Sequence, residues 1–103
     1  MSNPLERAIE IIVKVAAPEQ IILFGSQARG DAKPDSDYDL LVLKNGVKHS
    51  RKLAQQIYLS FRNIGASVDV IVADLQKYER LKVDPYMIYG EAAKEGRIVY
   101  EKS

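Results

Sequence analysis

The chain has 103 residues, of which 15 are basic and 14 acidic, giving a formal net charge of +1, and it contains no cysteine. This length corresponds to one ordinary domain, so we expect a single domain over residues 1–103. The near-neutral charge argues against a strong attraction to nucleic acid or anionic membrane, and the lack of cysteine excludes disulfides and thiolate metal sites. Without a signal-peptide core or an apolar run near the ~20 residues of a membrane span, the protein is expected to be cytoplasmic.

The first half of the chain predicts a helix followed by two strands. Asn3 and Pro4 form an N-cap and N1 pair, and apolar residues then recur at helical spacing until the chain reaches Pro18. The apolar run between Pro18 and Gly25 suits a strand that is buried on both faces. This strand is expected at Gln20–Phe24. A polar loop follows at Gly30–Ser36, and a second strand at Asp37–Leu43.

The second half predicts helices that alternate with two more strands. Apolar residues at helical spacing mark a helix from about Val47 to Ile64, and a run of β-branched residues marks the next strand. That strand is expected at Ser67–Val72. Two short helices are expected at about Asp74–Arg80 and about Asp84–Glu95, and a closing strand at Arg97–Glu101. This order predicts a small mixed sheet with helices packed on it, in the α/β or α+β class.

Three aspartates stand out because they interrupt apolar strands. Asp37 and Asp39 would point to the same face of their strand, roughly 7 Å apart, and Asp69 lies between two valines on the next strand. Carboxylates held together in a partly dry site repel each other unless a cation lies between them. A lone Asp at a strand start is usually a cap or a solvated end, but three that can converge predict an oxygen-ligand site for a hard cation such as Mg²⁺.

A glycine and a serine follow the first buried strand directly. Gly25 lets the backbone turn sharply and approach a ligand, and a helical turn opened by Ser26 would present its N–H groups to an anion. Arg29 could contact a phosphate or could brace the turn through a nearby carboxylate. By itself such a turn is more often an ordinary connection, and its value here comes from the aspartates that follow it.

Three familiar motifs do not fit these residues. Gly25 and Gly30 have the glycine spacing of a P-loop, but Asp31 stands where that motif needs Lys. A dinucleotide fingerprint lacks its second glycine. An EF-hand loop over the aspartates would need Gly at its sixth position and an acid at its twelfth, where this chain has Leu40 and Gly46.

The pattern of Gly25-Ser26, ten further residues and Asp37-x-Asp39 resembles the signature of the DNA polymerase β-like nucleotidyltransferase superfamily. Asp69 resembles the later acid that this superfamily carries on another strand. The full pattern resembles the minimal, single-domain prokaryotic branch of the superfamily. The motifs cover residues 25–42 and 67–72, with a weaker resemblance at 96–100.

The resemblance implies a role for each of these residues. The triphosphate of a nucleotide, expected to be ATP, would be held by Gly25 and Ser26, with Arg29 as a further candidate for binding it. Two Mg²⁺ ions would be bound by the catalytic carboxylates Asp37, Asp39 and Asp69. Asp69 would also help to activate the attacking hydroxyl group, while the ions stabilise the charge that develops at the α-phosphate.

The acceptor of the nucleotide is the least defined part of the prediction. Minimal relatives often act as antitoxins to a helical HEPN ribonuclease, which they neutralise by complex formation, by adenylylating a tyrosine on it, or by both. The resemblance therefore implies a HEPN toxin as partner, in a hetero- or homo-oligomer. Two alternatives stay open: a module that sequesters its partner without catalysis, and an enzyme that modifies a small hydroxylated molecule such as an aminoglycoside.

Overall fold

The computed structural model describes residues 3–33, 36–84 and 86–103, so parts of the predicted loop 30–36 and of the predicted helix 84–95 lie outside it. The helices in the described residues are α1 (Pro4–Ala16), α2 (Ser26–Arg29), α3 (Ser50–Ser60), α4 (Leu75–Leu81) and α5 (Ile88–Glu95). The strands are β1 (Gln20–Phe24), β2 (Tyr38–Lys44), β3 (Val68–Asp74) and β4 (Arg97–Glu101). No helix in this part of the chain is both long enough and apolar enough to cross a bilayer.

The four described strands form one sheet in the order β3-β2-β1-β4. β1 is antiparallel to both β2 and β4, whereas β2 is parallel to β3. The mixed sheet predicted from the sequence is therefore confirmed. β1 and β2 lie at its centre, as their continuous apolar sequences require, because a central strand is covered on both faces.

Helices cover both faces of this sheet. α1 and α3 pack on one face through side chains that include the fully buried Ile12 and Ile57. α4 and α5 pack on the other face through Tyr78 and Ala92. Side chains alternate between the two faces along each strand, and the odd-numbered residues of β2 belong to the layer of α4 and α5. Asp39 therefore lies on the face that α5 covers.

The first helix begins and ends as its sequence predicts. The side-chain oxygen of Asn3 accepts a hydrogen bond from the backbone N–H of Glu6 at 2.8 Å, which is the expected N-cap. At the other end, Ala17 adopts a left-handed conformation with φ 45°, one residue before Pro18. Both ends therefore follow from local sequence.

The helix expected from about Val47 to Ile64 is shorter and spans only Ser50–Ser60. Phe61 leaves the helix in an extended conformation, and Ile64 reaches the same core from the loop that follows. Apolar residues thus continue to recur at helical spacing beyond the end of α3, so this pattern predicts a helix that is longer than the observed one.

The helix expected from about Asp84 begins only at Ile88. The Asp84 carboxylate accepts a hydrogen bond from the backbone N–H of Tyr86 at 2.9 Å, so that Asp84 starts a turn instead of a helix. The sequence places a proline directly after Asp84, and a residue before proline disfavours the helical conformation.

Asp74 both ends β3 and caps α4, so the strand expected to end at Val72 runs two residues further. Its carboxylate accepts hydrogen bonds from the backbone N–H groups of Lys77 at 3.2 Å and of Gly46 at 2.9 Å. These N–H groups, that of Lys77 first, hold the pKa of Asp74 below its ordinary value. The side chain therefore joins the start of α4 to the turn after β2 while it is ionised.

The cap at Asp74 predicts a dependence of stability on pH. Because the pKa is lower in the folded state, the carboxylate stabilises the fold above the ordinary Asp pKa of about 3.9, and this contribution is lost as the pH falls through the lowered pKa. Asp74→Ala should lower the melting temperature at neutral pH and differ less from wild type in acid. Asp74→Asn keeps a side-chain oxygen that can accept the N-cap hydrogen bond, so its melting temperature should lie between those of Asp74→Ala and the wild type. A melting-temperature difference that stays constant across an acid-to-neutral series would contradict this assignment.

Candidate active site

Strand register brings two of the predicted aspartates side by side. In the parallel pair of β2 and β3, Asp39 lies opposite Asp69, on strands that are about 4.8 Å apart. In the antiparallel pair on its other side, Asp39 lies opposite Phe24, the last residue of β1. The end of β1 and two carboxylates therefore meet at one end of the sheet.

Gly25 follows Phe24 where the chain turns away from β1. Its backbone has φ 73° and ψ −158°, a conformation that is almost restricted to glycine. A β-carbon at this position would also overlap the carboxylate of Asp39, so the backbone approaches that side chain as closely as glycine allows. Ser26 then begins the short helix α2. The Gly-Ser turn is thus in direct contact with Asp39.

An open cleft of about 630 Å³ lies at this end of the sheet. Its walls come from the turn after β1, from β2 and β3, and from α3 and α5. The lining residues are Phe24, Gly25, Ser26, Arg29, Asp39, Tyr58, Asp69, Val70, Ile71, Ile88 and Glu91. Five of the six residues predicted for the site, Gly25, Ser26, Arg29, Asp39 and Asp69, therefore line one cleft.

Asp39 is a partly buried carboxyl group with acidic neighbours. Partial burial raises its pKa above the ordinary value, and the negative charges of Asp69, Asp37 and Glu91 raise it further, whereas Arg29 opposes them. Removal from water and like-charge repulsion therefore act in the same direction. A cation placed between these carboxylates would relieve both effects.

Asp37, the sixth predicted residue, does not line the cleft. The strand expected to start at Asp37 starts at Tyr38, and the Asp37 side chain is exposed just before it. Asp37 is still close enough for its charge to raise the pKa of Asp39. The preceding loop is fastened to α2 by Gln27, whose side-chain amide donates a hydrogen bond to the carbonyl oxygen of Ser36 at 3.0 Å.

Arg29, for which two roles were open, is surrounded by carboxylates. Its guanidinium group lies 3.4 Å from Asp31 and reaches across to α5, where it lies 3.5 Å from Glu91 and 3.4 Å from Glu95. All four side chains are more than a third exposed, so each ion pair contributes little to stability. The geometry favours a brace between α2 and α5, with the guanidinium still accessible from the cleft.

Two polar residues that line the cleft, Tyr58 and Glu91, were not identified from the sequence. Tyr58 comes directly after the buried Ile57 on α3, where helical spacing predicts a solvent-facing side chain. Glu91 lies in the first turn of α5, where an acidic residue is an ordinary feature. Neither residue forms a motif with the aspartates, because only packing of the helices brings them to the cleft.

The donor atoms at this site fit a hard divalent cation in kind and charge. Asp39 and Asp69 offer oxygen only, and Mg²⁺ usually takes one or two carboxylates and completes its shell with water and substrate phosphates. Within residues 3–33, 36–84 and 86–103, no three acidic, histidine or cysteine side chains are grouped closely enough to hold one ion. Partial burial and, after it, the charges of Asp69, Asp37 and Glu91 raise the pKa of Asp39, and a cation bound here would oppose that shift.

The fold and the cleft define a small α/β protein with a Gly-Ser turn packed against an acidic pair. The model of the polymerase beta, nucleotidyltransferase family matches residues 6–103, so this chain belongs to that family. The resemblance seen in the sequence is thereby confirmed.

Among curated proteins, the chain is similar to the protein adenylyltransferase MntA of Aphanizomenon flos-aquae (strain 2012/KM1/D3), with 22% identity over 99 residues. The match covers 94% of this chain but 66% of that relative, so the chain spans just under two thirds of its length. This relative therefore carries a further stretch of sequence that the match does not include.

Solved structures share the fold. A crystal structure from Sulfolobus solfataricus, assigned as a nucleotidyltransferase, superposes with a TM-score of 0.63 at 24% identity, over 99% of this chain and 90% of that one. The crystal structure of a toxin-antitoxin with AMP-PNP superposes with a TM-score of 0.60 at 20% identity, over 95% of this chain and 73% of that one. The predicted nucleotidyltransferase fold is therefore confirmed.

Proposed function

We propose that this protein transfers AMP from ATP to a tyrosine hydroxyl of a HEPN-type toxin in the cytoplasm, and so acts as its antitoxin. The observation that carries the proposal is the register that sets Asp39 beside Asp69, in contact with the Gly25 turn. It is supported by the similarity to a relative named as a protein adenylyltransferase and by the fold shared with a toxin-antitoxin that was crystallised with AMP-PNP.

Each group in the cleft has a place in this reaction. The backbone at Gly25, the first N–H groups of α2 and the hydroxyl of Ser26 bind the triphosphate, because a turn without a β-carbon admits a close ligand and a helix start favours anions. Arg29 bridges α2 to Glu91 and Glu95 of α5 beside this turn, and its guanidinium group stays accessible from the cleft. Mg²⁺, when bound by Asp39 and Asp69 with Asp37 nearby, supplies charge neutralisation for the phosphates.

The transfer conserves atoms and charge in a simple way. The acceptor oxygen forms a bond to the α-phosphorus, and the bond between that phosphorus and the oxygen bridging to the β-phosphate breaks, so pyrophosphate leaves. The proton of the acceptor hydroxyl passes to the carboxylate of Asp69 and from there to solvent. Asp69 suits this role because its side chain is exposed in the cleft next to Asp39.

The proposal is tested by incubating the protein with labelled ATP, Mg²⁺ and, as the candidate toxin, the protein encoded beside it. Label should appear on a toxin tyrosine, and Asp37→Asn and Asp39→Asn should each prevent its appearance. Glu10→Gln, which removes an exposed carboxylate of α1, is the matched control and should transfer label normally. Complex formation, measured in parallel without ATP, separates catalysis from binding.

Other outcomes would replace the proposal with one of its rivals. A tight complex without label transfer, unchanged by the Asp39 substitution, would indicate sequestration without catalysis. Label that reaches an aminoglycoside but no protein would indicate a small-molecule nucleotidyltransferase.

A further inference from the structure

One tyrosine on α3 reaches the backbone of β3 beside the candidate catalytic carboxylates. The backbone N–H of Val70 donates a hydrogen bond to the hydroxyl oxygen of Tyr58 at 2.6 Å, and this hydroxyl lies 3.5 Å from the Val70 carbonyl oxygen. β3 is at the edge of the sheet formed by the described strands, so these backbone groups face away from β2. Tyr58 thus takes the place of a neighbouring strand at Val70.

This hydrogen bond acts on the peptide unit that follows Asp69. The amide nitrogen of Val70 is joined to the carbonyl carbon of Asp69, so fixing that N–H fixes the peptide plane on the C-terminal side of Asp69. On the other side of the strand, the N–H of Tyr38 donates to the carbonyl of Ser67 at 3.0 Å and starts the pairing of β2 with β3. Asp69 is only the second residue of β3, a position where an edge strand with one neighbour would fray.

The ring of Tyr58 is itself held in place. It packs edge-on against Phe61, with ring centroids 6.0 Å apart and planes at 87°. The side chain remains 43% exposed and lines the cleft that also contains Asp39 and Asp69. Tyr58 is exposed, but the contact with Phe61 and the hydrogen bond to Val70 orient its side chain. It therefore has a defined geometry without being part of the core.

We propose that Tyr58 is a positioning residue, which holds Asp69 opposite Asp39 by fixing the Asp69–Val70 peptide at the open edge of β3. The expected effect on transfer activity rests on the proposed function, whereas the expected effect on the strand at Val70 does not. Tyr58 stabilises the orientation of Asp69 and touches neither the nucleotide nor the reacting atoms in this role. Its hydroxyl group carries the effect, and its ring serves to place that hydroxyl.

The test is Tyr58→Phe, which removes one oxygen and keeps the ring. Hydrogen exchange at the Val70 amide should become about tenfold faster, while exchange at the central Leu41 amide stays unchanged. Affinity for Mn²⁺ alone, measured by titration, should fall several-fold. In the transfer assay kcat should fall about tenfold while KM for ATP changes less than about twofold, because Gly25 and Ser26 are untouched. Tyr86→Phe removes the same oxygen from a side chain that is 95% exposed and should change none of these values.

Two results would overturn the proposal. Unchanged hydrogen exchange at the Val70 amide would show that the hydrogen bond from Val70 to Tyr58 does not hold the strand. Faster exchange with unchanged Mn²⁺ affinity and unchanged kcat would show that the site works without this hydrogen bond. If the wild-type protein transfers no nucleotide, the proposed function fails. Exchange at Val70 and affinity for Mn²⁺ then still decide whether Tyr58 positions Asp69.

Discussion

Replacing Asp39 with asparagine should abolish nucleotidyl transfer and at the same time make the folded protein more stable. The loss of activity should be at least about 1,000-fold, because the variant removes a negative charge needed to bind the cation that would neutralise the substrate phosphates. The gain in stability follows from the partial burial of this carboxylate next to Asp69, Asp37 and Glu91. We expect the gain to be between a few tenths of a kcal/mol and about 1 kcal/mol, since solvent screens a partly exposed charge.

The pH dependence distinguishes this explanation from a general packing effect. The pKa of Asp39 is raised in the folded state, so the wild type loses this part of its stability as the pH rises from the ordinary Asp pKa of about 3.9 through the raised value. The difference in melting temperature between Asp39→Asn and wild type should therefore be small in acid and grow toward neutral pH. Millimolar MgCl₂ should raise the melting temperature of the wild type and leave that of the variant unchanged. A variant that is less stable than wild type at neutral pH would refute this account.

Gly25→Ala should cause a large loss of stability for the addition of a single methyl group. Gly25 has φ 73° and ψ −158°, and a β-carbon there would overlap the Asp39 carboxylate. Backbone strain and the forced displacement of Asp39 together should lower the free energy of unfolding by about 3 kcal/mol. Transfer activity should be lost even below the melting temperature, because Asp39 must move to admit the methyl group.

Gly30→Ala is the matched control for this substitution. Gly30 also has a positive φ, 84°, but a β-carbon there would meet open space. This variant should lower the free energy of unfolding by about 1 kcal/mol from backbone strain alone and keep its activity. Denaturant unfolding of both variants, combined with the transfer assay, measures the contribution of the contact with Asp39. Equal losses in the two variants would mean that the contact has no effect.

The sequence was most informative where structure depends on near neighbours. The N-cap at Asn3 and the strands β1 and β4 were predicted at the residues where they occur. Apolar periodicity was less reliable for α3, because Phe61 and Ile64 reach the core from outside the helix. Periodicity reports burial, and burial continues where helical hydrogen bonding has already ended.

In the candidate site, too, local sequence predicts some features and only the packing of distant elements decides the others. Residue type and spacing were enough to select the aspartates, since carboxylates in apolar strands are unusual in any fold, and the Gly25-Ser26 turn was selected because the aspartates follow it. The alignment of Asp39 with Asp69 spans thirty positions in the chain and depends on the register of the parallel pair β2 and β3. Register depends on how every strand and helix packs, which local sequence does not specify.

Tertiary structure alone decided the surroundings of the site. Two roles were open for Arg29 in the sequence, and only the structure shows that α5 brings Glu91 and Glu95 within 3.5 Å of its guanidinium group, which favours the brace. Tyr58 carries no sequence signal at all, because its role comes from α3 crossing the edge of the sheet at Val70. Local chemistry therefore indicates which residues can react, whereas the packing of distant elements determines which groups orient them.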